Sequence, residues 1–151
     1  LSLRYTVSGR INALRMPHVM ASTRADELWR RTCFEAFVRE ASHSAYYEFN
    51  FAPSTQWAAY GFGEYRSGKH VASELRAPLI EVESSADRYV LQASLNLERL
   101  PSLGKDAMWR AGLSAVIEEK NGDISYWALA HPPGKPDFHH YDCFALEVAG
   151  A

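Results

Sequence analysis

Cysteine is scarce in this chain: Cys33 and Cys143 are the only two among 151 residues. Two thiols build no disulfide framework, and neither lies in a CxxC or CxxH spacing that would hold zinc or run redox exchange. Each precedes a phenylalanine inside an apolar run, Cys33-Phe34 and Cys143-Phe144. That context predicts buried free thiols packed on strands, with a bridge as the alternative. A reducing, cytoplasmic setting is expected from this usage. No apolar run approaches the ~18 residues of a membrane span. Leu1 opens on neither a basic n-region nor a long apolar stretch, and a processed leader is the alternative because the chain does not begin with Met. Excess positive charge is missing too. With 16 Lys+Arg against 18 Asp+Glu and a formal net charge of −2, the chain offers a nucleic-acid backbone no electrostatic footprint. A Walker loop and a GxSxG turn are absent, and Gly61-Phe62-Gly63 is followed by no third glycine and no helix.

What is present is an apolar, aromatic-rich sequence, 47% hydrophobic and 13% aromatic. A chain of this length buries roughly 70% of its unfolded surface and needs no metal or disulfide staple. No repeat, low-complexity tract or long linker divides it, so one domain over 1–151 is expected. Alternation of apolar and polar residues predicts strands over Leu1–Ile11, Thr32–Arg39, Ala45–Ala52, Trp57–Tyr65, Pro78–Glu83 and Arg88–Leu95. Asn12–Asp26 reads as a connection, and Leu97–Leu103 as one helical turn. Met108–Glu118 and Ile124–Ala130 flank Asn121-Gly122, a pair suited to the two positive-φ positions of a type I′ hairpin turn. After His131–Pro136, a last strand is expected over Asp142–Val148. Eight or nine short strands with at most one short helix predict an all-β, antiparallel two-sheet sandwich of jelly-roll or immunoglobulin-like type.

Chemistry is harder to find. Ser54, His131 and Asp137 supply the residue types of a hydrolase, though nothing in their spacing joins them. His139 and His140 crowd near Asp137 and Asp142, but adjacent residues on an extended chain point to opposite sides, so no metal site is predicted. Non-covalent haem would need a Met and a His from loops, for which Met16, Met20, His18 and His131 are the candidates.

A different pattern stands out. If Phe34, Phe49 and Phe51 face the core, then Glu35, Glu48 and Asn50 look out together from the opposite face of two paired strands. Trp127 and His131 share a parity that puts an indole on the same kind of surface, and Trp29, Trp57, Tyr60 and Tyr65 add flat rings. Rings beside fixed donors and acceptors suit sugars, whose C–H faces stack while their hydroxyls need hydrogen bonds. The plainer alternative spends the rings on core packing and pairs Glu35 with Arg66 or Arg31.

The segments Leu28-Trp29-Arg30-Arg31-Thr32-Cys33-Phe34-Glu35-Ala36-Phe37, Tyr47-Glu48-Phe49-Asn50-Phe51-Ala52-Pro53-Ser54, Trp57-Ala58-Ala59-Tyr60 and Tyr126–His139 resemble the bacterial DOMON-like proteins. These belong to the superfamily of DOMON domains and carbohydrate-binding module family 9. The resemblance implies a two-sheet sandwich that binds a small molecule, a sugar or haem, without catalysis. It implies that Trp29 forms one side of an aromatic clamp before the acidic strand of Glu35, that Glu48 and Asn50 lie on a comparable neighbouring strand, and that Trp127 is the second ring. The ligand-binding set expected is Trp29, Glu35, Glu48, Asn50, Trp57, Tyr60, Trp127 and His131, with no catalytic residue and no metal.

Overall fold

A computed structural model describes residues 1–150 as ten strands in two antiparallel sheets, with short 3₁₀ turns as the only helical elements among them. The strands are β1 (Ser2–Ser8), β2 (Cys33–Glu40), β3 (Tyr46–Phe51), β4 (Trp57–Phe62), β5 (His70–Val71), β6 (Leu79–Ser84), β7 (Arg88–Ser94), β8 (Met108–Glu118), β9 (Ile124–Ala128) and β10 (Leu146–Ala149). The small sheet runs β1-β7-β6; the large one runs β10-β8-β2-β3-β4-β5, with β9 paired to the far half of β8. The two sheets form the predicted sandwich.

Period-2 alternation decides what each face of the large sheet does. Phe34, Ala36 and Val38 on β2, Tyr47, Phe49 and Phe51 on β3, and Trp57 and Ala59 on β4 point toward the small sheet and form one core with Tyr89, Leu91 and Ala93 of β7. The intervening residues face the other way, and they are buried too. Phe37, Tyr46, Tyr60, Phe62 and Val116 join Phe138 and Phe144 in a second apolar cluster on the outer face. The reason lies in the C-terminal third of the chain, where the segment after β9 folds back across this face before β10 completes the sheet edge.

Several local expectations change. The β8–β9 connection is a type I turn with a glycine bulge, not a type I′ turn. Gly122 N–H donates to Glu119 C=O (3.0 Å), Glu119 N–H donates to Asp123 C=O (2.8 Å), and only Gly122 has positive φ (98°). Asn121 instead uses its side chain, accepting from Asp123 N–H (3.0 Å) and donating to the Asp123 carboxylate (2.9 Å). Leu97–Leu103 is two successive reverse turns. Cys33 lies on β2 as expected, but Cys143 lies in a 3₁₀ turn, Tyr141–Cys143; both are buried free thiols. The last strand begins only at Leu146. Gly61 marks a close approach: a Cβ there would collide with the His70 imidazole of the neighbouring strand.

Candidate functional site

The outer face of β2, β3 and β8 is a polar floor inside an otherwise apolar layer. Glu35 stands directly opposite Asn50 on β3 and Ser114 on β8, and Glu48 lies two residues before Asn50 on the same strand. All three predicted polar groups are buried: Glu35 is 3% exposed, Glu48 5% and Asn50 0%. Asn50 Nδ2 donates to Glu48 Oε1 (2.8 Å), and Ser114 Oγ donates to Glu35 Oε2 (3.4 Å). Asn50 Oδ1 is buried with no donor among the described residues.

Above this floor is a hollow of about 550 Å³, within the range of roughly 300–1,000 Å³ usual for ligand pockets. Glu35 and Glu48 open into it, and Trp29, Tyr126, Phe138 and His139 are among its walls. Trp29 is 43% exposed and sits in the 3₁₀ turn Leu28–Arg30. That turn is launched by Glu27 at φ 56°; Arg66, another lining residue, has φ 52°. Both are non-glycine residues in the left-handed region, a conformation held only where surrounding contacts enforce it.

Contacts across the segment 137–144 hold the wall in place. Arg66 Nη2 donates to Asp137 Oδ1 (2.7 Å), and the Tyr65 hydroxyl bonds the other carboxylate oxygen. Against the cost of burial, these two partners bring the Asp137 carboxyl below its ordinary range. His139 lies among the rings of Phe37, Tyr46 and Phe62. The Tyr46 hydroxyl accepts from Arg66 N–H (3.1 Å) and lies 2.8 Å from His139 Nδ1. Its own proton is therefore available to Nδ1, which leaves the imidazole proton on Nε2, 3.6 Å from Glu48 Oε2. The geometry is that of a His–Glu pair, yet burial, helped by Arg66, lowers the His139 pKa to about 4. The neutral imidazole governs at pH 7, because desolvation and the nearby cations outweigh the pull of the Asp137 carboxylate.

Electrostatics set the floor apart. Burial, then repulsion from Glu48, pushes the Glu35 pKa up to about 8, with the Ser114 hydroxyl pulling weakly the other way. Burial also raises Glu48, opposed by the Asn50 amide and by Lys69 and Arg66. The arginines considered as partners for Glu35 are spent elsewhere: Arg31 pairs with Glu118 (2.6 Å) and Arg66 with Asp137.

The other expected site residues are dispersed. Trp57 is in the sandwich core under the Arg24 guanidinium, 4.1 Å from its ring, because it pairs with Phe51 on the core-facing side. Tyr60 is on the floor side opposite Glu48, but it is buried, bonded through its hydroxyl to Asp26 and covered by Lys69 (3.9 Å). Trp127 is on the wrong face. It pairs with Ala115, so it lines a separate groove of about 520 Å³ beside β1, 63% exposed, while Tyr126, opposite Val116, turns toward the hollow. His131 is exposed, its ring 6.0 Å from Phe138. The hydrolase trio is not assembled: Ser54 Oγ bonds Gln56 Oε1 (3.2 Å), and Asp137 is held by Tyr65 and Arg66. Among the haem candidates, Met16 packs on the sandwich core while His18 and Met20 are exposed. Tyr126 and Ser114 escaped sequence reasoning as site residues, and His139 was weighed only as a metal ligand. For Tyr126 a signal existed, since register counted from the observed three-residue loop puts it, not Trp127, on the face of Glu35.

The fold is similar to that of a candidate carbohydrate-binding protein from Bacteroides uniformis, solved by crystallography at 2.70 Å resolution. The TM-score is 0.65 at 14% identity, over 99% of this chain and 72% of that one. At that identity the likeness is one of fold. No protein-family model matches the chain, and no curated protein is significantly similar to it in sequence.

Proposed function

We propose that residues 1–151 are one DOMON-like domain that binds a carbohydrate-like small molecule, without catalysis, in the hollow on the outer face of the large sheet. The observation that carries this reading is the pairing of a buried polar floor with exposed rings: Glu35 and Glu48 open into the same 550 Å³ hollow that Trp29 and Tyr126 line. A pyranose needs one apolar surface for its C–H face and fixed polar groups for its hydroxyls, and such a cavity supplies both. The similarity in fold to a candidate carbohydrate-binding protein supports the ligand class. Ser54, His131 and Asp137 each engage other groups, which supports binding without turnover. The buried free thiols fit the cytoplasm.

A thermal-shift panel of monosaccharides and disaccharides tests the proposal. A sugar at about 100 times its dissociation constant stabilises the fold by about 2.7 kcal/mol and raises the melting temperature. A panel without any shift, beside turnover of an ester or glycoside substrate, would overturn it.

A further inference from the structure

The hydrogen-bonding inventory of the hollow is lopsided. Behind its two carboxyls, the Asn50 amide donates to Glu48 and the Ser114 hydroxyl to Glu35. What faces the hollow is acceptor capacity: Glu35 Oε1 receives no hydrogen bond among the described residues, and Glu48 Oε2 has only the distant His139 Nε2–H at 3.6 Å. A sugar hydroxyl brings one proton to such a floor. An ammonium group brings three, plus a charge.

Charge is what the floor lacks. Two carboxyls more than nine-tenths buried share it, and among the described residues no lysine or arginine forms an ion pair with either. The cations at the rim are committed: Arg66 to Asp137, Arg30 to Glu27 (both 2.7 Å), and Lys69 to the face of Tyr60. Lys69 and Arg66 exert only a longer-range pull, felt by Glu48. A buried carboxylate without a countercharge is costly, and proteins escape the cost by pairing it or by keeping it protonated. With no pair available, Glu35 keeps its proton. The exposed rings of Trp29 and Tyr126 on the walls attract a cation as well, through their π faces.

We infer that the ligand of this hollow carries a protonated amine, as a hexosamine does, and that its ammonium takes the place of the missing countercharge between Glu35 and Glu48. The inference rests on the carbohydrate reading of the same site and names its class. As the ammonium enters, the Glu35 proton leaves for solvent, and Trp29 stacks on the rest of the sugar.

Titration calorimetry with glucosamine and galactosamine, their N-acetyl derivatives, and glucose and galactose tests it at pH 7. Each hexosamine should bind about tenfold or more tightly than its parent hexose and its N-acetyl form, since a charge-assisted hydrogen bond is about twice as strong as a neutral one. The heat should change with the ionisation enthalpy of the buffer, as proton release requires. Glu35→Gln and Glu48→Gln, neutral isosteres that keep the volume, should each bring the hexosamine to within about threefold of the hexose. Equal affinity of hexose and hexosamine in the wild type would overturn the inference while leaving the sugar reading intact. Binding of methylammonium with no response to any sugar would support the amine site and remove the sugar reading. Stabilisation of the sugar-free protein by calcium chloride, abolished by Glu35→Gln, would overturn the inference by making the floor a metal site.

Discussion

Glu35 on β2 and Asn50 on β3 face each other directly across the ladder, on the side of the large sheet turned away from the sandwich core. That register gathers Glu48 and Ser114 around them, and the segment 137–144 roofs the group so that it is buried instead of solvated. A half-buried sheet whose second face also carries a small core can set polar groups into a dry wall. Here Glu35 and Glu48 line a hollow.

The pH dependence of stability should carry the signature of Glu35. Its folded pKa, about 8, exceeds the ordinary value of 4.5, so between these values the folded chain holds a proton that the unfolded chain has released. The stabilisation is complete below about pH 4.5 and is lost as pH rises through 8. Glu35→Gln should therefore flatten the decline and leave the protein more stable than wild type at pH 9, by up to about 4 kcal/mol. Urea unfolding at pH 6.5 and 9 measures this. Equal pH slopes for the two proteins would contradict the buried, unpaired state of Glu35.

His139 acts in the opposite sense. Its folded pKa, about 4, lies below the ordinary 6.5, so the unfolded chain binds the extra proton between these values and stability falls as pH drops from 6.5 toward 4. The loss amounts to up to about 3 kcal/mol. Proton NMR of the imidazole resonances should show the His139 ring still neutral at pH 5.5. Ionisation of His139 above pH 6 would contradict the neutral tautomer bonded to Tyr46.

Gly112 on β8 lies beneath the 3₁₀ turn of Tyr141–Cys143, and a Cβ there would come within 2.5 Å of the Cys143 carbonyl oxygen. Gly112→Ala should lift this roof and cost about 1–3 kcal/mol, with faster hydrogen exchange confined to 137–144. Exchange spread evenly over β1, β6 and β7 would show that the roof is not a separable layer.

The fold was legible because its strands alternate cleanly. Phe34, Phe49 and Phe51 against Glu35, Glu48 and Asn50 specify both the β2–β3 pairing and the two faces. The site was legible only where it rests on that alternation. Trp127 was set beside Glu35 on its shared parity with His131 and on the resemblance, neither of which fixes the β8–β9 register; the bulged loop turns Trp127 to the face opposite Glu35, since one bulged residue moves every later side chain to the other face. The burial of the polar floor was not legible at all. It depends on Phe138, His139 and Phe144 returning over the sheet from about 100 residues away in sequence, a tertiary contact that local periodicity does not encode.

Two substitutions separate the hollow from the groove beside β1. Trp29 and Trp127 are both exposed, in different cavities, so Trp29→Ala and Trp127→Ala should each change stability by no more than about 0.5 kcal/mol. For whichever sugar stabilises the wild type, calorimetric affinity should fall at least about tenfold in Trp29→Ala and stay unchanged in Trp127→Ala. The reverse pattern, with affinity lost in Trp127→Ala and kept in Trp29→Ala, would contradict the outer-face hollow as the ligand site.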